Sequence, residues 1–352
     1  MKVRVLTVLL ILVFSLCLTA RPVVAAEQVR TAWCGERDAF LIWLAKQKGW
    51  DREAGIDIRM HHLGSDETSL SRQGGPQWDI AGCGIVPTLM SVRKGQFYVI
   101  GVGSDESKWN ALFVRPDSPI LKAAGTNPQH PDVYGSPDTV RGKTILCPEK
   151  TSARYLISPW LHIIGLKDED VTIRVTPPGQ ALNMFSKGHG DAVYLEAPDT
   201  FVASSRIGKG YSFITTAPEC GISQPALLLA DRTFADKHPE QVLAFLRVYL
   251  RAVTALYSEE FDPVEEYIRF NKEWSNKTLT REKAVEEMSA CTVFGLSGQV
   301  SFLSPQLGSF RALLSSLLSF LGRSGELSQE DISGLNTFDF LNDSFLQKLI
   351  EE

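Results

Sequence analysis

The chain has 352 residues, of which 44% are hydrophobic and 22% are charged, and its formal net charge is −5. This length exceeds one small domain and predicts about two units, while the composition is that of an ordinary globular protein. The mild acidity argues against a surface for nucleic acid or for anionic membranes, either of which needs clustered basic residues.

The first 26 residues are typical of a secretory signal peptide. Lys2 and Arg4 form a basic start, Val5–Leu18 is an almost unbroken apolar run, and small residues ending at Ala26 suit cleavage. The apolar run is shorter than the roughly 20 residues of a membrane-spanning helix. An uncleaved anchor is the alternative, whereas lipid attachment at Cys17 is disfavoured because a large residue precedes it. We therefore expect a protein exported to the periplasm.

Strands alternate with helices along most of the mature chain. The predicted strands are 28–34, 55–60, 78–81, 97–102, 143–147, 171–175, 191–195, 211–215 and 226–230. The predicted helices among them are 38–48, 65–73, 86–94, 152–164, 180–187 and a short one through Phe201. After Asp231 the pattern predicts helices only, over 239–258, 263–273, 281–288, 307–321 and 338–350. The alternation predicts an α/β fold with parallel sheets covered on both faces, interrupted by a Pro- and Gly-rich surface segment over 116–137.

The chain has six cysteines, and Cys17 leaves with the signal peptide, so an odd number remains and at least one thiol is unpaired. No cysteine or Cys/His pair has zinc-ligand spacing. His61 and His62 are adjacent and point to opposite faces of a strand. We therefore expect neither a metal site nor a cofactor.

Several dispersed motifs follow one another along the chain. They are Leu44-Ala45-Lys46-Gln47-Lys48-Gly49-Trp50 with Glu53-Ala54-Gly55-Ile56-Asp57, Asp79-Ile80-Ala81-Gly82, Val140-Arg141-Gly142-Lys143-Thr144-Ile145, Leu166–Val171, and Gly190-Asp191-Ala192 with Glu196-Ala197-Pro198. In their order and spacing these motifs resemble those of the periplasmic substrate-binding proteins of ABC transporters, in the nitrate/sulfonate/taurine group. The specific substrate does not carry over, because Glu149, Lys150 and Tyr194-Leu195 depart from the pattern of the group.

The resemblance implies a two-lobe periplasmic-binding-protein fold of type II, with hinge strands and a helical C-terminal tail. The first lobe would cover 27–113, the second lobe 114–225, and residues 226–352 would return to the first lobe. By this analogy the crossings lie near Leu112-Phe113-Val114 and Ala226-Leu227-Leu228, and the ligand lies between the lobes.

Ligands of open parallel sheets bind beyond the carboxyl ends of the strands, and two such places lie in the predicted first lobe. The first is Cys34-Gly35-Glu36-Arg37, where Gly35 permits close approach and Arg37 suits a carboxylate or sulfonate. Capping of the helix, or pairing in solvent, is the alternative. The second is Gly82-Cys83-Gly84, which is otherwise a plain turn. The two preceding strands would be neighbours in this fold, and an exported protein can oxidise a neighbouring pair of cysteines. We therefore expect a Cys34–Cys83 disulfide.

Two further places lie in the predicted second lobe. Thr151-Ser152-Ala153 opens a helix, whose free N–H groups and dipole favour an anion, and the family places its ligand there. The same residues could simply cap the helix. Glu196 follows a strand and could hold the cationic end of a zwitterion, with a hinge or capping role as the alternative. Trp109 and Gln180 are weaker candidates.

These features predict a monomeric, non-enzymatic solute-binding protein that delivers a small anionic or zwitterionic ligand to a membrane permease. Sulfonate, taurine-like, carboxylate and nitrate-like ligands all fit. An enzyme on the same fold, of a pyrimidine-synthesis or sulfinate-hydrolase type, is one alternative, and a ligand-sensing domain for a membrane signalling partner is another. A catalytic role would require a nucleophile with a positioned base, and no histidine lies near Cys34 or Cys83 in the sequence.

Overall fold

The computed structural model describes residues 26–33, 36–63, 77–92, 96–148, 152–177, 179–197, 199–304 and 308–352. The predicted signal peptide up to residue 25 and the helix predicted over 65–73 lie outside these ranges. No helix among the described residues combines the length and apolarity that crossing a membrane requires.

Two β-sheets and the helices around them organise the described chain. The strands are β1 (Glu27–Trp33), β2 (Ile56–His62), β3 (Ile80–Gly84), β4 (Phe97–Asp105), β5 (Ala111–Val114), β6 (Thr144–Pro148), β7 (Thr172–Thr176), β8 (Ala192–Leu195), β9 (Ser212–Thr216), β10 (Pro225–Asp231) and β11 (Thr292–Val293). The helices before the tail are α1 (Glu36–Gln47), α2 (Trp50–Glu53), α3 (Ile85–Val92), α4 (Pro137–Val140), α5 (Ser152–Ile163), α6 (Ala181–Ser186) and α7 (Asp199–Ser204). Those of the tail are α8 (Arg232–Lys237), α9 (Pro239–Ala255), α10 (Pro263–Trp274), α11 (Arg281–Ser289), α12 (Leu296–Leu303), α13 (Ser309–Arg323), α14 (Gln329–Leu335) and α15 (Ser344–Glu351).

The first sheet has the strand order β11-β4-β10-β3-β1-β2, and the second has the order β7-β6-β8-β5-β9. In the first sheet β1 is parallel to β2 and β3, whereas β10 is antiparallel to β3 and β4. In the second sheet β6 is parallel to β7 and β8, whereas β5 is antiparallel to β8 and β9. The prediction of an α/β two-lobe fold is confirmed, but the prediction of purely parallel sheets is wrong.

Both sheets contain parallel and antiparallel strands because of the way the chain passes between them. The chain leaves the first sheet after β4 and returns to it as β10, so these two strands must run in opposite directions. The same applies to β5 and β9 in the second sheet. The connections between the sheets are residues 106–110 and 217–224, which contain short 3-10 turns at Ser107–Trp109 and Pro218–Cys220. The two connections between the sheets lie a few residues before Leu112 and Ala226, near which we predicted the crossings.

Helix α1 is buried on all sides. Every side chain from Ala39 to Ala45 is less than a tenth exposed, because the helix lies between the first sheet and the tail helices α9 and α10. A helix covered all round has no polar face, which explains the broad apolar pattern of this segment.

The tail packs on the first sheet, with α9 against α1 and with α12 and α15 against β4. The prediction of helices only after Asp231 is wrong, because β11 pairs with the end of β4, Thr292 opposite Asp105 and Val293 opposite Ser104. Three tail helices, α8, α12 and α14, were not predicted. Buried hydrophobic side chains form a continuous cluster that includes residues of both sheets and the tail.

Candidate functional site

The carboxyl ends of the strands in the two sheets face each other across the connections. Strands β3 and β4 are both antiparallel to β10, and β1 is parallel to β3. Strands β1, β3 and β4 therefore run in the same direction and end at the same edge of the first sheet. In the second sheet the start of β5, Ala111, is paired with Leu195 at the end of β8. Since residues 106–110 join β4 directly to β5, the carboxyl edges of both sheets adjoin the same connection. This is the position at which open α/β sheets bind ligands.

Arg37 lies in the first turn of α1, just beyond the end of β1, and only 4% of its surface is exposed. Its guanidinium carbon lies 5.7 Å from the ring centre of Phe40 and 5.8 Å from that of Tyr267. Its Nε and Nη1 have no hydrogen-bond partner among the described residues. Buried donors are nearly always satisfied, so this side chain has unused capacity to bind an acceptor.

Asp38, the next residue, is a fixed anchor between three elements. Its Oδ1 accepts a hydrogen bond of 2.6 Å from the Tyr249 hydroxyl on α9, and its Oδ2 accepts one of 3.2 Å from Ser104 on β4. Burial raises the pKa of this carboxyl, although both hydrogen bonds and the charge of Arg37 oppose the shift. A Cβ atom at Gly103 would overlap the Asp38 carboxyl group, so glycine is required there for this close approach.

Gly82, Cys83 and Gly84 lie within β3, so the predicted end of this strand at Ala81 and the alternative of a plain turn are both wrong, while the ligand contact of these residues stays a prediction. A Cβ atom on Gly82 would lie 2.6 Å from the Trp33 ring. The glycine is therefore explained by packing between neighbouring strands. Cys83 is 2% exposed, and Cys34 lies outside the described residues, so the Cys34–Cys83 disulfide stays a prediction.

Trp109 ends the 3-10 turn of the first connection and is buried. Its ring packs edge-on against Phe201 of α7, with ring centres 5.2 Å apart, and both contact Cys291 of the tail. The indole Nε1 has no hydrogen-bond partner among the described residues, and the Trp109 carbonyl accepts a 2.6 Å hydrogen bond from Thr200. Trp109 therefore links the connection, the second lobe and the tail.

Glu196 follows β8 and is half-buried. The Tyr194 hydroxyl lies 3.5 Å from its Oε2 and 2.8 Å from Oδ1 of Asn110. Burial raises the pKa of Glu196 and the charge of Asp199 adds to the shift, while the Tyr194 hydrogen bond lowers the pKa. No cationic side chain among the described residues forms an ion pair with Glu196.

A chain of hydrogen bonds joins this carboxylate to both connections. Asn110 of the first connection donates from Nδ2 to Oε1 of Gln224 in the second. The backbone N–H of Gln224 donates in turn to the Ser107 hydroxyl, over 2.7 Å. The geometry of the connections and the position of Glu196 are thus coupled through Tyr194 and Asn110.

The structure gives the positions of some of the other predicted site residues, and their ligand contacts stay predictions. Ala153 is buried in the first turn of α5, and Gln180 is exposed before α6. Gly35 and Thr151 lie outside the described residues, and the side chains of Glu36 and Ser152 lie outside them as well. Sequence reasoning missed Asp38, Tyr249, Cys291, Ser104 and Gln224. Of these, only Asp38 had a signal, an acidic residue at the start of an apolar helix.

Metal ligands and free thiols are the two features of the described residues that bear on catalysis. No group of His, Cys, Asp or Glu side chains within the described ranges is arranged to hold a metal ion. Cys147, Cys220 and Cys291 are buried free thiols, and burial raises the pKa of Cys147 and of Cys220 to about 11. Burial also raises the pKa of Cys291, which disfavours the nucleophilic thiolate in all three.

Two α/β lobes, joined by two connections and presenting their carboxyl edges to each other, define the fold of the periplasmic binding proteins. The chain belongs to the NMT1-like family, whose model matches residues 25–265.

Named relatives and a solved structure agree with this assignment. A protein of Brachyspira hyodysenteriae that is named as an ABC transporter periplasmic binding protein is 26% identical to this chain over 223 residues. These residues cover 60% of this chain and 63% of that protein. A protein of Bacillus subtilis named as an aliphatic sulfonates-binding protein is 26% identical over 215 residues, 60% of each chain. The match thus spans about three-fifths of each relative. The crystal structure of the periplasmic aliphatic sulphonate binding protein SsuA from Escherichia coli has a TM-score of 0.66 at 15% identity, over 88% of this chain and 91% of that one.

Proposed function

We propose that this chain is the exported solute-binding component of an ABC importer, which closes two lobes around a small anionic or zwitterionic organic ligand. The observation that carries the proposal is the buried guanidinium of Arg37, whose Nε and Nη1 have no partner in the described chain. Buried N–H donors without a hydrogen-bond partner are unfavourable, and an anionic ligand group would supply the acceptors. Membership of the family and the sulfonate-binding relative support the same class of ligand.

The ligand lies at the facing carboxyl edges, with one end on each lobe. Arg37 binds its sulfonate, carboxylate or nitrate-like group from the first lobe, and the N-terminus of α5 adds backbone donors and the positive end of a 12-residue helix dipole from the second. Glu196 binds a cationic end, where one is present. A taurine-like or amino-acid-like zwitterion uses all three.

These groups are sufficient for useful affinity. Hydrogen bonds to charged groups contribute about 1.5–3 kcal/mol each, and a micromolar dissociation constant corresponds to about −8 kcal/mol. A few such bonds and some apolar contact reach that value after the costs of ordering. The closed form presents a surface that a membrane permease recognises, and the protein acts as a monomer in the periplasm.

The ligand leaves this protein chemically unchanged. A catalytic alternative requires a nucleophile and a positioned base, and the raised pKa values of Cys147, Cys220 and Cys291 oppose that role. The absence of turnover is checked by NMR of the ligand before and after incubation with the protein.

The proposal is tested by a thermal-shift screen of sulfonates, amino acids, nitrate and aromatic acids, followed by calorimetric titration. We expect at least one anion or zwitterion to bind with micromolar affinity or better. Arg37→Met should weaken that binding about 10- to 100-fold, the equivalent of one lost charge-assisted hydrogen bond. Glu196→Gln should weaken zwitterions selectively and leave simple anions unaffected.

Arg251→Met is the matched control, because Arg251 also packs on an aromatic ring, that of Trp50, but is half-exposed and pairs with Glu53. It should bind like the wild type. If Arg37→Met binds every active compound with wild-type affinity, the ligand does not contact Arg37 and the proposed site is wrong.

A further inference from the structure

The tail is anchored on the first lobe but also contacts the second lobe. On one side, Lys283 of α11 donates from Nζ to the backbone carbonyl of Phe201 in α7, over 3.0 Å. The same Nζ lies 5.9 Å from the centre of the Phe201 ring and pairs with Glu286 at 3.0 Å. Only 25% of the Lys283 side chain is exposed, so this contact is partly shielded from water.

Two neighbouring contacts reinforce the same junction. Ala290 and Cys291, just after α11, pack against Trp109 and Phe201 in a small buried apolar cluster. Burial raises the pKa of Asp199 in the first turn of α7, and the positive charge of Lys277, just before α11, opposes that shift. Helix α7 is therefore held by the tail through charge, hydrogen bonding and apolar contact.

A separate contact lies on α5. The ring of Tyr155 packs against that of Phe320 in α13, with ring centres 5.4 Å apart. Both aromatic rings are buried. Because α12, which packs against α13, also packs on β4 of the first lobe, α13 joins α5 to that lobe.

The two second-lobe elements that the tail holds are those that carry the candidate ligand groups. Helix α7 follows Glu196 by three residues, and α5 begins at Ser152. We propose that Lys283 on α11 and Phe320 on α13 form a tail clasp, which holds α5 and α7 in the closed arrangement and thereby sets the affinity of the ligand site. This proposal rests on the proposed function, since it assigns the clasp to the opening and closing of the same cleft.

The clasp acts on the equilibrium between open and closed forms. Separation of the lobes about residues 106–110 and 217–224 carries α5 and α7 away from the tail, so it breaks the Lys283–Phe201 hydrogen bond and the contact between the Tyr155 and Phe320 rings. A ligand that bridges the lobes binds the closed form, and its apparent affinity increases with the fraction of protein already closed. The clasp contacts raise that fraction without touching the ligand.

The test uses the full-length mature protein without any ligand, so its result does not depend on whether a ligand is found. Lys283→Met removes the charge and keeps the aliphatic stem, and Phe320→Leu removes the ring that Tyr155 contacts. Hydrogen exchange measured by mass spectrometry follows peptides that cover α5 and α7, and small-angle scattering follows the separation of the lobes. We expect exchange in both helices to accelerate roughly fivefold in each single variant and about 25-fold in the double variant, since one hydrogen bond of ordinary strength, or one aromatic pair, changes an equilibrium by about that factor.

Two variants control for general loosening. Arg281→Met, on the same helix as Lys283, removes ion pairs only to Asp262 and Glu265 within the tail. Tyr98→Phe changes a tyrosine of the first lobe. Both should leave exchange in α5 and α7 as in the wild type. Equal exchange in the double variant and the wild type, with the same radius of gyration, would overturn the clasp, whereas failure of the ligand screen with accelerated exchange would overturn only the proposed function.

Discussion

Arg37→Met should stabilise the ligand-free protein while it weakens ligand binding. Two N–H groups of this side chain are buried without partners, and each unsatisfied buried donor costs about 1–3 kcal/mol. Methionine keeps most of the aliphatic contact. It loses the cation–π contacts with Phe40 and Tyr267, which are worth about 0.5–1 kcal/mol each, and the attraction between the Arg37 charge and the Asp38 carboxyl. The donor and cation–π terms combine to a gain of about 0–5 kcal/mol in the free energy of unfolding, which the lost attraction to Asp38 reduces.

The assay is equilibrium urea unfolding without ligand, followed by fluorescence, with the slope of the transition checked for constancy. Arg251→Met serves as the control and should change the free energy of unfolding by no more than about 1 kcal/mol, because exposed ion pairs contribute little. A loss of 1 kcal/mol or more in Arg37→Met would refute the reasoning, since Arg37 would then be a structural group whose partners are satisfied in the folded protein.

Three further changes test the packing and charge of the facing edges. Tyr249→Phe removes a hydrogen-bond donor to buried Asp38 and should lower the free energy of unfolding by about 2 kcal/mol in urea titrations; an unchanged midpoint would contradict the anchoring role. Gly103→Ala forces a methyl group onto the Asp38 carboxyl and should cost about 2 kcal/mol or more, whereas Gly334→Ala, in open space on α14, should be neutral or add up to about 1 kcal/mol. Burial in the folded protein raises the pKa of Glu196. The contribution of Glu196 to the free energy of unfolding is therefore fully present below the pKa of the unfolded chain, about 4.3, and is lost as the pH rises through the pKa of the folded protein. Glu196→Gln should therefore be more stable than the wild type at pH 7 and equal to it below pH 4, and a constant difference across that range would contradict the assignment.

The sequence was sufficient to predict most elements of the fold, because periodicity and turn residues report local structure. Predicted and observed bounds agree within a few residues for β1, α1, β6 and α5. The direction of β10 and the existence of β11 could not be predicted from the sequence, because both depend on the distant strand with which each segment pairs. The two-residue strand β11 is too short to show a periodicity, and it forms only because it pairs with the edge of β4.

Only part of the candidate site was predictable, for a related reason. Arg37 and Glu196 follow strands directly, so the rule for carboxyl ends identifies them. Asp38 is held by Tyr249 and Ser104, which lie 211 and 66 residues away in the chain. No local pattern records such pairs. Gly82 was predicted to allow close approach of a ligand, because such an approach and close packing against Trp33 require the same residue type.

In the proposed mode of binding, the distribution of charge between the lobes determines which ligands can close them. A ligand shifts a conformational equilibrium only by the difference between its affinities for the two forms. An anion that contacts Arg37 alone gains the same contact in the open and closed forms, so it binds without driving closure. A ligand that also reaches Glu196, or the start of α5, gains contacts that exist only when the lobes meet. Closure, and with it recognition by a permease, should therefore follow the ability of a ligand to bridge Arg37 and the second lobe more closely than it follows the affinity of the anionic group itself.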